Sequence, residues 1–310
     1  MDYLLLLGGL ALLVMGGNWL LKAAVSLSLR MEIPKIVIGM TVVSFATSAP
    51  ELIVSLNSAI AGYPDIALGN VIGSNIANLG LVLGLVLIIS GIQVERSFYL
   101  TDWPVMMIAS LLLYVFLYTG GEIRPLEGLV MLIMLLVFLV YLLKFQTVAV
   151  VDEMPEDDVV YPIGRSLLYL LLGGIGLWSG SELLITGAVN LAAAFGISER
   201  VVGVTVISVG TSLPELAASV IAVAKREKAI SLGNLLGSNV FNILAVLGIT
   251  SMISPIKAKD PGLLDFDILW MLFFAVIIFP LVFAPSRMKL SWKEGLILLA
   301  CYVVFVSMLL

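Results

Sequence analysis

The sequence predicts an all-α polytopic membrane protein with ten transmembrane helices in two inverted-topology repeats of five helices. Three observations predict this fold class. Hydrophobic residues make up 61% of the 310 residues and charged residues only 12%, whereas a soluble domain is about one quarter charged. Apolar stretches long enough to cross a bilayer as helices recur along the whole chain. One block of sequence also occurs twice, 164 residues apart (205 − 41).

The apolar stretches set the positions of the individual helices. They predict ten spans, at residues 3–29, 36–60, 67–91, 104–120, 125–145, 163–190, 200–224, 230–254, 265–284 and 291–309. The chain starts with Met1-Asp2 and runs straight into the first apolar stretch, which predicts a retained span and not a cleaved signal peptide.

The spans group into three predicted parts of the chain. They are a first five-helix repeat at 1–145, an acidic cytoplasmic linker at 146–162 and a second five-helix repeat at 163–310. Eleven lysines and arginines lie in or beside the loops that follow the odd-numbered spans, against four on the other side. This bias predicts a protein of the cell membrane with both termini outside the cytoplasm.

The composition also excludes several classes of function. The chain has one cysteine, Cys301, and no histidine. A single cysteine cannot build a disulfide framework, and the lack of histidine excludes His-ligated zinc or haem and any Ser-His or Cys-His catalytic pair. We therefore expect no enzymatic activity and no cofactor. The expected surroundings are the lipid bilayer, with no nucleic-acid partner and no obligatory protein partner.

The duplicated block comprises residues 41–85 and 205–249, which are identical at 20 of 45 positions. Many identities are polar, and these are unexpected in two unrelated apolar helices. Five spans per repeat is an odd number, so the second copy must enter the membrane from the opposite face. Inverted repeats of this kind are typical of secondary transporters, whose binding site lies near the middle of the membrane.

Two glutamates, Glu51 and Glu215, lie at matching positions deep inside spans 2 and 7. A carboxylate at this depth is costly and requires a cation, a proton or a water-filled cavity. Each follows a proline, Pro50 or Pro214, which frees the backbone carbonyl four residues earlier. Matched hydroxyl groups flank the glutamates: Ser44, Thr47, Ser48, Ser208, Thr211 and Ser212. Two carboxylates among neutral oxygens favour hard cations such as Ca²⁺ and Na⁺.

The second half of the duplicated block adds further oxygen atoms. Ser74 and Asn78, like Ser238 and Asn242, are four residues apart and so lie on one face of a helix. Such residues also form simple hydrogen bonds between helices in membrane proteins. Their repetition together with both Glu-Pro pairs favours a binding site.

The motifs TSAPE and TSLPE, each followed by GN-x-x-GSN-x-x-N, resemble the two α-repeats of the cation/Ca²⁺ exchanger superfamily, and especially the prokaryotic sodium/calcium exchangers. The resemblance covers nearly the whole chain and implies Na⁺/Ca²⁺ antiport by alternating access. It implies that Glu51 and Glu215 bind Ca²⁺, with Thr47 and Thr211 at the same site. It also implies that Na⁺ sites, or shared sites, include Ser44, Ser48, Ser74, Asn78, Ser208, Ser212, Ser238 and Asn242.

One position separates this chain from part of that superfamily. Asn242 stands where the potassium-dependent branch and some archaeal members have aspartate, so K⁺ co-transport is not expected. If three Na⁺ ions enter per Ca²⁺, as the resemblance implies, transport is electrogenic. The alternative within transport is Ca²⁺/H⁺ antiport, with protons on Glu51 and Glu215. A cation channel is a remote alternative, because the internal inversion suits a carrier better.

Overall fold

The computed structural model describes residues 2–145, 160–194, 210–284 and 288–309, and these residues are almost entirely helical. In chain order the helices are α1 (Asp2–Met31), α2 (Lys35–Thr47), α3 (Ala49–Ile60), α4 (Pro64–Ile89), α5 (Phe98–Gly120), α6 (Pro125–Phe145), α7 (Ile163–Ala194), α8 (Leu213–Ala224), α9 (Lys228–Ile253), α10 (Leu263–Phe283) and α11 (Trp292–Leu309). The strands in these ranges are β1 (Ile92–Gln93), β2 (Glu122–Ile123), β3 (Ile256–Lys257) and β4 (Lys289–Leu290).

The predicted membrane character is confirmed by the lengths and compositions of these helices. Within the described ranges, eight helices are long and apolar enough to cross a membrane, and α2 with α3 makes a ninth if the pair, bent by 45°, is one span. The predicted span at 200–224 is described only from Gly210 onward, where α8 has 12 residues. Ten spans therefore stay a prediction, and most of the predicted linker, 146–159, lies outside the described residues.

The four short strands correct the all-α prediction. β1 pairs antiparallel with β4, which sets Ile92 opposite Leu290. β2 pairs antiparallel with β3, which sets Ile123 opposite Ile256. Strands of two residues have no detectable period in the sequence, so they were not predicted. Each pair links a loop of the first predicted repeat to a loop of the second.

Packing contacts divide the chain into two compact units whose boundaries differ from those of the two predicted repeats. Unit 1 comprises Met1–Thr47 and Phe145–Asn234, and unit 2 comprises Ser48–Lys144 and Leu235–Leu310. Each unit draws on both halves of the sequence. The divisions at residues 47 and 234 fall inside the duplicated motif, whereas the predicted domains follow the duplication itself.

In unit 1, α1 and α7 pack in close antiparallel contact through glycines. A Cβ atom added to Gly9 would lie 2.7 Å from the carbonyl oxygen of Gly180, and one added to Gly16 would lie 2.9 Å from that of Gly173. The order of these contacts reverses along α7, so the two helices run in opposite directions. Because glycine has no Cβ, the backbones can approach this closely.

In unit 2, glycines bring other helix pairs together in the same way. A Cβ atom added to Gly295 of α11 would lie 2.7 Å from the carbonyl oxygen of Gly84 in α4. One added to Gly128 of α6 would lie 2.7 Å from that of Gly248 in α9. The helices α4 and α9 are also the most buried candidate spans, at 72% and 78% of their apolar windows against 28–39% for the other six. They carry the asparagines of the duplicated motif into the protein interior.

Candidate ion-binding site

A helix begins at the centre of both TS-x-PE motifs, directly after Ser48 and directly after Ser212. Ser48 has φ −83° and ψ 1°, and Ser212 has φ −89° and ψ 3°. These values lie in a sparsely populated backbone region where many functional residues occur. Pro50 and Pro214 then stand in the first turn of α3 and α8, where the missing proline N–H costs no helix hydrogen bond. Each motif therefore creates a new helix N-terminus.

Glu51 and Glu215 lie in the first turns of α3 and α8, and both are 0% exposed. A negative charge near a helix N-terminus is stabilised by the helix dipole. Both predicted carboxylates are thus inside the protein and not on the lipid-facing surface. Removing a carboxylate from water is costly, so groups at such positions need compensating interactions.

Four other predicted site residues hold oxygen atoms that lack a hydrogen-bond partner among the described residues. They are the Oγ atoms of Ser48 and Ser212 and the Oδ1 atoms of Asn78 and Asn242. All four side chains are buried. An unsatisfied buried polar atom costs about 1–3 kcal/mol, and native proteins contain few of them. The four oxygen atoms lie at two pairs of equivalent positions in the repeats. Each has the chemistry of a ligand for a hard cation.

The amide groups of Asn78 and Asn242 belong to a hydrogen-bonded cluster in unit 2. Nδ2 of Asn78 donates to Oδ1 of Asn239 at 3.2 Å, and Nδ2 of Asn242 donates to Oδ1 of Asn75 at 3.1 Å. Nδ2 of Asn75 donates to the carbonyl oxygen of Asn239 at 3.2 Å, and Nδ2 of Asn239 donates to that of Asn75 at 3.4 Å. We call these four residues the asparagine cluster. The repeated GSN motif signals its members, but the sequence assigned no role to Asn75 or Asn239.

The two predicted site asparagines also begin local widenings of their helices. A π turn runs from Asn78 to Val82 in α4, and another runs from Asn242 to Leu247 in α9. Single π turns inside α-helices occur frequently at functional sites. The same irregularity at equivalent positions supports a shared role for the two asparagines.

Serines in the middle of α3 and α8 attach these helices to their neighbours. In unit 2, Nδ2 of Asn70 donates to Oγ of Ser55 at 2.9 Å and to the carbonyl oxygen of Glu51 at 3.3 Å. In unit 1, Nδ2 of Asn234 donates to Oγ of Ser219 at 3.0 Å. The sequence analysis missed both serines, although their identity at the 164-residue offset was a visible signal. They hold the glutamate-bearing helices in place.

Predicted residues of α2 meet α9 within unit 1. Oγ1 of Thr47 donates to Oδ1 of Asn234 at 3.2 Å. The buried Oγ of Ser44 lies 2.8 Å from the carbonyl oxygen of Gly39 and 2.9 Å from that of Asn234. The Ser44 hydroxyl therefore joins the backbones of α2 and α9.

The remaining predicted residues are placed as follows. Ser74 and Ser238 are buried, and Thr211 is partly buried. Ser208 lies outside the described residues. The carbonyl oxygen of Gly210, which Pro214 was expected to free, accepts a hydrogen bond from Oγ of Ser181 at 2.7 Å. That carbonyl is therefore used in packing against α7.

Comparisons with known proteins agree with this fold. The family model described as "Sodium/calcium exchanger protein" matches residues 1–144 and 165–310. The chain is 35% identical over 303 residues to the putative antiporter CaxA of Alkalimonas amylolytica, and the aligned region covers 95% of this chain and 94% of CaxA. It is 28% identical over 349 residues to the sodium/calcium exchanger MaX1 of Methanosarcina acetivorans, and the aligned region covers 99% of this chain and 98% of MaX1.

A solved structure is also similar. The sodium-calcium exchanger NCX_Mj, soaked with Na⁺ and Ca²⁺, superimposes with a TM-score of 0.83 at 30% sequence identity, covering 100% of this chain and 98% of that one. The resemblance that the two motifs indicated is confirmed over the full length of the fold. The protein is thus an antiporter-type membrane protein, and it belongs to the sodium/calcium exchanger family.

Proposed function

We propose that this protein exchanges Na⁺ for Ca²⁺ across the cell membrane by alternating access, electrogenically and without K⁺. Glu51 and Glu215 are the proposed Ca²⁺ ligands, together with Thr47 and Thr211. The residues proposed for Na⁺ or for shared use are Ser44, Ser48, Ser74, Asn78, Ser208, Ser212, Ser238 and Asn242. The Na⁺ and Ca²⁺ ions are the transported substrates, and no cofactor or enzymatic step is part of the proposal.

One observation carries this proposal: four buried oxygens at equivalent positions of the two repeats, on Ser48, Ser212, Asn78 and Asn242, have no hydrogen-bond partner among the residues that the structure describes. Hydroxyl and amide oxygens are ligands for Na⁺ and Ca²⁺. A proton on a carboxylate needs no such set of neutral oxygens, so they favour Na⁺ over H⁺ as the counter-ion. The buried carboxylates of Glu51 and Glu215 supply the two negative charges that match one Ca²⁺.

Competition for these oxygens explains how the two ions are coupled. Two carboxylates neutralise one Ca²⁺, and Na⁺ ions that occupy the same ligands exclude it. With three Na⁺ per Ca²⁺, one net charge crosses in each cycle. A membrane potential of about 100 mV then contributes roughly 2.3 kcal/mol per cycle.

The proposed topology is ten spans in two inverted repeats, with both termini outside and residues 146–162 in the cytoplasm. The antiparallel contact of α1 with α7 supports the inversion, because these helices are equivalent in the two repeats. The strand pairs support it too, since each brings two loops to one side of the membrane. By the lysine and arginine bias, β1 and β4 lie on the cytoplasmic side.

The test is ⁴⁵Ca²⁺ uptake into proteoliposomes loaded with Na⁺, with external Na⁺, external K⁺, the membrane potential and a pH step as separate variables. We expect uptake that needs an outward Na⁺ gradient, responds to the potential and is unchanged by K⁺. Glu51→Gln and Glu215→Gln should each abolish it, because one carboxylate leaves a divalent ion undercompensated in a buried site.

A matched control is Glu122→Gln, which removes a carboxylate that forms an exposed ion pair with Arg124. This variant should transport like the wild type. Normal Ca²⁺ flux in both glutamine variants of the buried pair would contradict the assignment of the ligands. Uptake driven by the pH step without Na⁺ would replace Na⁺ by H⁺ as the counter-ion.

A further inference from the structure

The asparagine cluster contains two kinds of residue. Asn78 and Asn242 each have an Oδ1 atom without a partner among the described residues. Asn75 and Asn239 each use both ends of the amide: Nδ2 donates to a backbone carbonyl and Oδ1 accepts from a side chain. Hydrogen bonds to the backbone therefore fix the amide orientation of Asn75 and Asn239. These two residues in turn fix the amide orientation of Asn242 and Asn78.

The direction of each hydrogen bond determines what the first pair presents to its surroundings. An asparagine amide has one oxygen acceptor and one NH₂ donor at similar positions, and its χ2 torsion is broad and roughly two-fold. A half-turn would therefore exchange the oxygen for the NH₂ group at little torsional cost. Because Oδ1 of Asn239 receives the NH₂ group of Asn78 at 3.2 Å, the oxygen of Asn78 must point the other way. The bond from Asn242 to Asn75 at 3.1 Å has the same effect.

The supporting asparagines cannot easily turn themselves. Asn75 and Asn239 are 1% and 2% exposed. A half-turn of either would place its amide oxygen against the carbonyl oxygen that now accepts its N–H, at 3.2 Å or 3.4 Å. Two acceptors in contact without a proton would repel each other. The backbone carbonyls therefore set the amide orientation of Asn75 and Asn239, and these two amides set the orientation of Asn242 and Asn78.

We propose that Asn75 and Asn239 are positioning residues for ion exchange: they turn the amide oxygens of Asn242 and Asn78 toward the transported cation and keep the NH₂ groups away from it. The inference rests on the proposed function and adds residues to which that function had assigned no role. Without the supporting acceptor, the site amide adopts both orientations, and the one that presents NH₂ repels a cation.

The test is a double-mutant cycle measured as the half-saturating Na⁺ and Ca²⁺ concentrations of ⁴⁵Ca²⁺ exchange. Asn239→Ala should raise these concentrations by roughly tenfold, which corresponds to about 1.4 kcal/mol. It should change the maximal rate at saturating ion much less. In an Asn78→Asp background both terminal atoms of residue 78 are oxygens, so neither orientation presents NH₂ to the cation, and the contact with Oδ1 of Asn239 becomes a repulsive contact between two acceptors. There, Asn239→Ala should cause no further rise.

Asn70→Ala is the matched control, since Asn70 also makes partly buried side-chain hydrogen bonds in unit 2, and none of those seen among the described residues goes to the asparagine cluster. Whatever loss it causes should persist in the Asn78→Asp background. Asn75→Ala, with Asn242→Asp as its background, gives an independent second cycle if one variant fails to fold. The positioning role is overturned if Asn239→Ala costs as much in the Asn78→Asp background as in the wild type. A failure of the proposed function would be seen separately, as absent Na⁺-dependent Ca²⁺ flux in the wild type.

Discussion

The close packing of α1 and α7 can be tested at two neighbouring glycines of α7, Gly173 and Gly174, because an added methyl group would clash at the first and fit at the second. A Cβ atom added to Gly173 would lie 2.7 Å from the backbone nitrogen of Leu20 and 2.9 Å from its Cα. One added to Gly174 would lie 3.9 Å from Cβ of Ala46, which is ordinary contact. Gly173→Ala and Gly174→Ala thus make the same chemical change in adjacent residues of one helix.

The expected magnitudes follow from these distances. Ordinary contact begins at 3.4 Å, so the Gly173 variant needs a displacement of 3.4 − 2.7 = 0.7 Å, and the obstacle is the backbone of α1, which cannot rotate away. Overpacking of this kind costs about 1–3 kcal/mol, whereas alanine in place of glycine gains about 1 kcal/mol of helix propensity at both positions. Gly173→Ala should therefore be less stable than Gly174→Ala by about 1–3 kcal/mol.

The assay is thermal unfolding of the purified variants in detergent, followed by intrinsic fluorescence. The difference corresponds to a melting temperature about 2–10 °C lower for Gly173→Ala than for Gly174→Ala. Gly9→Ala and Gly8→Ala form the reciprocal pair on α1, since the added Cβ atoms would lie 2.7 Å from the Gly180 carbonyl oxygen and 4.0 Å from a Leu183 methyl group. Equal melting temperatures within both pairs would refute the described contact between these helices.

Two further predictions concern side-chain interactions between segments of unit 1. Lys35 and Glu227 form an ion pair at 2.8 Å, with side chains 24% and 9% exposed. Glu227→Gln should therefore lower the free energy of unfolding by about 1–3 kcal/mol. A double-mutant cycle of Glu227→Gln and Lys35→Met, measured by thermal unfolding, would contradict this if the two effects were additive. Asn234→Ala should cost a similar amount, because it removes the partner of the buried Ser219 hydroxyl. The exposed Asn57 provides its control, and Asn57→Ala should change stability by less than about 0.5 kcal/mol.

Much of the fold could be predicted because the governing effects are local. An apolar stretch of about 20 residues predicts a span wherever it occurs, and a proline ends one helix and starts another within a few residues. The burial of both glutamates accordingly agrees with the sequence analysis. From the sequence, Pro50 and Pro214 were expected only to free a backbone carbonyl, whereas the structure starts a new helix directly after Ser48 and Ser212. The short strands could not be predicted, because the pairing of Ile92 with Leu290 depends on residues 198 positions apart (290 − 92).

The sequence by itself determined the membrane-spanning character, the duplication with its matched carboxylates and hydroxyls, and the family. It also marked Asn75, Asn78, Asn239 and Asn242 as repeated residues. Only the tertiary structure decided which of these amide oxygens accept a hydrogen bond and which have no partner in the described part of the chain, because each donor and acceptor come from different repeats. The reason is physical: hydropathy and backbone breaks act within a few residues, whereas an amide takes its orientation from whatever partner the folded chain places beside it.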